Sequence, residues 1–72
     1  MQPEKMVMMA NQIATFFQTQ SDDDRAGKVA AHINDFWEPR MRVQLLDHAA
    51  AGGAGLSPLA LEACRHIRAP VA

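Results

Sequence analysis

His32-Ile33-Asn34-Asp35-Phe36-Trp37-Glu38-Pro39-Arg40-Met41-Arg42 is the corner on which the fold turns. Before it, Val29, Ile33 and Phe36 recur at steps of four and three, with Ala26, Ala30 and Trp37 beside them. That spacing draws an apolar stripe over about a third of a helical wheel, with Lys28, His32 and Asp35 on the other face. Pro39 lacks the amide that a continuing helix needs and biases Glu38 towards extended backbone. One helix therefore ends near Trp37 and another starts at Pro39. In that next helix Met41, Val43, Leu45, Leu46 and Ala49 spread an apolar arc over more than half of the wheel, and Arg42 projects into its middle. Arg40 lines up instead with Gln44 and Asp47 on the polar side.

Outward from the corner, proline and glycine divide the chain into four helical segments. No strand pattern competes. The first is expected over 3–18, with Pro3 suited to the opening turn and Met6, Met9, Ala10, Ile13, Phe16 and Phe17 on one broad apolar stripe. Met8 falls on its polar side. The second is expected over 22–37, capped by the Ser21 hydroxyl, with Asp22, Asp23 and Asp24 complementing the helix dipole. The third spans 39–51 and ends at Gly52, placed for a left-handed cap, after which Gly53-Ala54-Gly55 reads as a flexible connector. Ser57 caps the fourth, expected over 58–68. Pro58 is its first residue, Leu56 is placed to staple onto Leu61, and Pro70 stops it. The fold class is all-α, a single small domain over residues 1–72 with a proline corner between helices two and three.

So short a chain has little to hold it together. Below about 70–80 residues a single core rarely contributes more than roughly 3–5 kcal/mol, and small folds usually add a disulfide or a metal. Cys64 is the only cysteine, and the histidines show no repeated metal-ligand spacing. Thirteen of the apolar residues are alanines and only Phe16, Phe17, Phe36 and Trp37 are aromatic, so the core is thin. Close helix packing or a partner has to compensate.

The net charge of −1, with acids and bases interspersed, lacks the basic footprint of nucleic-acid or membrane-surface binding. No apolar run approaches the roughly 20 residues that span a bilayer, and Met1-Gln2-Pro3-Glu4-Lys5 lacks the apolar stretch of a secretory signal. The expected location is the cytoplasm. Reactive groups do not assemble either. Cys64 and His66 are two apart on a helix and point away from each other, and Glu62 reaches His66 only as a surface pair. The glycine cluster lacks the Gly-Lys-Ser/Thr ending of a phosphate loop. The chain is expected to be non-catalytic.

What remains is recognition of another protein. Tryptophan and arginine are favoured binding anchors, so Trp37, Pro39, Arg40, Met41 and Arg42 form the candidate partner-binding set. Trp37 is expected to close the core at the corner, with an edge left for a partner. Two readings of Arg42 stand. Either it snorkels across apolar neighbours or pairs with Glu38 four residues earlier, or it is held for a carboxylate or carbonyl on a partner. The main rival class is a helix-turn-helix DNA-binding module with the segment after Pro39 as recognition helix. Two early arginines and a net negative chain speak against it.

A longer pattern points further. Lys5-Met6, Ala10-Asn11-Gln12-Ile13-Ala14, Phe16-Phe17, Ala31-His32-Ile33, Phe36-Trp37, Pro39-Arg40-Met41-Arg42, Gly52-Gly53, Gly55-Leu56 and Pro58-Leu59 run through most of the chain. In that combination the sequence resembles the delta subunit of the cytoplasmic, molybdenum-dependent, NAD-linked formate dehydrogenases of bacteria. The resemblance implies a small accessory component with no cofactor of its own. It also implies a complex whose large catalytic subunit carries a molybdenum bis-pterin cofactor and iron–sulfur clusters, while other subunits carry FMN and further clusters. The expected partner is that large subunit, and no residue here is inherited as catalytic.

Overall fold

A computed structural model describes residues 2–20 and 23–69. Among them are four α-helices and no strand: α1 (Pro3–Gln18), α2 (Arg25–Phe36), α3 (Pro39–Ala50) and α4 (Pro58–Ala63), the last running into a 3₁₀ turn, Cys64–His66. Proline opens α1, α3 and α4, where its missing amide costs nothing. α1 closes on Thr19, whose amide and hydroxyl both donate to the Phe16 carbonyl, at 3.3 and 2.7 Å.

α2 starts later than the expected 22. Its cap is Asp24, whose carboxylate accepts from the Gly27 amide at 3.2 Å; Ser21 and Asp22, the expected cap and first residue, lie outside the described residues. Arg25 fastens the preceding turn by donating from Nε to the Gln20 carbonyl at 2.9 Å. At the other end the Trp37 amide closes α2 on the Ile33 carbonyl at 2.9 Å. Trp37 and Glu38 are both extended (ψ 139° and 152°) before Pro39 restarts the helix, so the proline corner forms by the mechanism the sequence implies.

The glycine segment is built rather than slack. Gly52 (φ +117°) and Gly53 (φ +66°) follow α3, and their amides return to the Ala49 and His48 carbonyls at 3.1 and 2.9 Å, the paired bonds of a Schellman ending. Asn11 on α1 then grips the loop twice. Its amide nitrogen donates to the Gly55 carbonyl at 2.9 Å and its oxygen accepts from the Ser57 amide at 2.8 Å. Asn34 on α2 holds the C-terminal segment in the same way, accepting from the Arg68 amide at 2.9 Å and donating to the His66 carbonyl at 3.5 Å. That second grip accounts for the short α4: an asparagine side chain engages the Arg68 amide, so the expected helix to 68 tightens after Ala63 and gives way to extended backbone at Ile67.

α2 packs on both α1 and α4, and α1 also meets α3 and α4. Between them lie Met6, Val29, Ile33, Trp37, Leu45 and Ile67, with Ala10, Ala14, Ala30, Ala60 and Ala63 letting the helices approach closely. The radius of gyration, 11.1 Å, matches the roughly 11 Å expected of a compact chain this long. Two residues placed on apolar stripes by the sequence stay outside: Phe16 is 61% exposed and Phe36 73%.

Candidate functional site

The corner residues divide by direction. Trp37 is buried and Met41 packs against the core, whereas Pro39 and Arg40 face solvent. Arg42 is half-buried and turned back on its own chain: Nη1 donates to the Arg68 carbonyl at 3.2 Å, and Nε is buried without a hydrogen-bond partner among the described residues. The guanidinium thus bridges the start of α3 and the segment after the 3₁₀ turn. Its apolar arc is also narrower than the wheel implied, since Leu45 is fully buried, Leu46 and Ala49 are half-buried and Val43 is 42% exposed.

Beside the corner lies a feature that the helical wheels missed. The C-terminal halves of α1 and α2, with the residue that ends α2, border a groove of about 630 Å³, lined by Met9, Gln12, Ile13, Phe16, Phe17, His32, Phe36 and Trp37. Its rings interlock. Phe16 and Phe17 meet edge to face at 5.1 Å between centroids, and the His32 ring lies 6.4 Å from Phe17 and 4.7 Å from Phe36. Trp37 belongs to both regions, closing the corner and lining the groove. A signal for this was present in two doublets, Phe16-Phe17 and Phe36-Trp37. Adjacent helical residues point about 100° apart, so a thin core accepts one member of each and leaves the other outside. Phe17 and Trp37 turn in; Phe16 and Phe36 form the rim.

The groove's chemistry is that of apolar contact. Among the described residues no aspartate, glutamate, lysine or arginine lines it. Elsewhere the polar groups serve the fold: His48 Nε2 lies 2.8 Å from the Ala54 carbonyl in the glycine loop. Cys64 is buried, and burial pushes its thiol above the ordinary value, away from the thiolate that reacts or binds metal. Among the described residues no group of three His, Cys, Asp or Glu side chains could hold a metal ion. No described helix is long and apolar enough to cross a membrane. The outward residues of α3, Pro39, Arg40, Val43, Asp47 and Ala50, include one cation and one anion, a poor surface for reading a DNA groove.

No curated protein matches the chain. Residues 5–64, which hold all but the first two residues of α1, the whole of α2 to α4, the corner and the aromatic groove, match the family described as NADH-dependent formate dehydrogenase delta subunit FdsD. With so much of its length inside that match, the chain belongs to the formate dehydrogenase delta-subunit family.

Proposed function

We propose that this chain is a cofactor-free accessory subunit of an NAD-dependent formate dehydrogenase complex in the cytoplasm. It docks on the molybdenum-containing catalytic subunit and supports that subunit's assembly, stability or activity. The family match over residues 5–64 carries this reading. The oxidation of formate to carbon dioxide with reduction of NAD then takes place on other subunits, which hold the bis-pterin molybdenum, the iron–sulfur clusters and FMN. The side chains here support that division. A cluster takes about four cysteine thiolates, and Cys64 is a single, buried cysteine whose thiol burial keeps protonated. In this reading Pro39 and Arg40 face the partner, while Trp37, Met41 and Arg42 keep the corner in shape behind them.

Co-expression of the tagged chain with the catalytic subunit tests the proposal. The catalytic subunit is expected to co-purify, and enzyme made without this chain is expected to lose activity. Molybdenum content then separates the two forms of the role: low metal marks a part in assembly, and full metal with low turnover marks support of the finished enzyme. A tagged chain that purifies alone, with unchanged enzyme in its absence, would overturn the reading. A salt-sensitive shift of duplex DNA by the isolated chain would favour the helix-turn-helix class instead.

A further inference from the structure

We infer that the aromatic groove between α1 and α2 is the seat for the catalytic subunit, filled by uncharged apolar side chains on an amphipathic helix of that subunit. The partner's identity rests on the accessory-subunit reading above; the groove and its chemistry do not. A groove between two packed helices is the shape that receives a third, whose apolar face extends the core.

The occupant's chemistry follows from charge. Among the described residues the wall carries no aspartate, glutamate, lysine or arginine, so a charged side chain seated there would lose water and find no carboxylate, ammonium or guanidinium to pair with. Its polar groups are Gln12 and His32, which offer hydrogen bonds to a backbone or a hydroxyl. The family match favours an unlike chain over a second copy, since a delta subunit is one component of a multi-subunit enzyme. Phe16 and Phe36, at 61% and 73% exposure, present together on the order of 300 Å². A stable pair of proteins needs about 800 Å² from each side. The rim alone falls well short, so the contact continues past the groove. Trp37 marks where it continues, because the same ring closes the corner that presents Pro39 and Arg40.

The experiment uses the co-expressed complex. The photo-crosslinking amino acid p-benzoylphenylalanine replaces Phe36, and in a second preparation Phe16, and the crosslinked peptides are identified by mass spectrometry. Crosslinks to the apolar face of a catalytic-subunit helix are expected. In parallel, the double variant F16S/F36S is expected to lower co-purification at least tenfold with its circular dichroism unchanged, while V43S on the outer face of α3 binds as the parent does. Should the double variant fail to fold, the crosslinks still decide. Crosslinks to a second copy of this chain would overturn the proposal. So would their absence while the parent chain still co-purifies, and that result would leave the accessory role standing. A parent chain that does not co-purify at all would remove both.

Discussion

The two halves of α1 face opposite demands. Around Val7 and Asn11 the neighbouring loop is fastened: Gly53 is buried with the Leu56 and Leu61 side chains over it, Gly55 lies against Val7, and both ends of the Asn11 amide hold backbone. Around Phe16 the chain leaves two phenylalanine rings, Phe16 and Phe36, mostly in water. A domain short of apolar material would be expected to bury every ring it has. That this one fastens a glycine loop with hydrogen bonds and keeps two phenylalanines outside is what the proposed docking of a partner on the second region would account for.

The sharpest way to break the closed region is Gly53→Ala. The left-handed backbone (φ +66°) resists a Cβ, and that Cβ would lie 2.6 Å from Leu61 Cδ1. Left-handed strain, with what Leu61 gives up in turning its exposed end aside, should cost about 1–3 kcal/mol, a large share of what so small a core provides, read as a fall in the urea midpoint. A stability near that of the parent would show the loop to be slack after all.

Of like size is Asn11→Ala, which removes two hydrogen bonds of 2.9 and 2.8 Å and should cost about 1–3 kcal/mol by the same measurement. Asn34→Ala makes the internal control. One of its two bonds is long, 3.5 Å, so the smaller loss is expected there. If Asn34→Ala proved the more damaging, the weight of the fold would lie at the C-terminal segment instead.

Cys64 gives a smaller, pH-dependent effect. Burial raises its thiol in the folded state, so the folded chain holds its proton to higher pH than the unfolded chain does. Stability should therefore be level below the ordinary thiol range and decline as pH rises through and beyond it. Cys64→Ser should flatten that decline. Alkylation in native buffer should also be slow until denaturant is added. The smallest effect is predicted for the open region: Phe36→Ser should move the stability of the isolated chain by no more than about 0.5 kcal/mol. A large loss there would mean that the ring serves the fold and that the contrast between the halves is false.

Much of this architecture could be read from local chemistry. Pro3, Pro39 and Pro58 each start a helix, and the corner at Trp37-Glu38 follows from the steric demand that Pro39 places on the residue before it. What escaped was decided by contacts distant in sequence. Nothing near Asn11 or Asn34 in the sequence shows that segments 44 and 34 residues away come to their side-chain amides. The same holds for Arg42, whose partner is a carbonyl 26 residues on. Of the candidate site, Trp37 was legible as a core-closing ring; the groove was not. A helical wheel reports which residues share a face and cannot report whether a neighbour arrives to cover all of it.

The asparagine grips also govern how far the chain could vary in length. Each side chain imitates a single residue of a parallel β-ladder, taking the carbonyl of one residue and the amide of the second residue beyond it, with Leu56 or Ile67 in between. Such a clamp reads spacing. One residue inserted between Gly55 and Ser57 would give up either a hydrogen bond or the register of the chain against the core. Surface loops ordinarily absorb insertions and deletions with little cost, but this one is gauged at both ends by Asn11, and its length should be as restricted as that of a helix core.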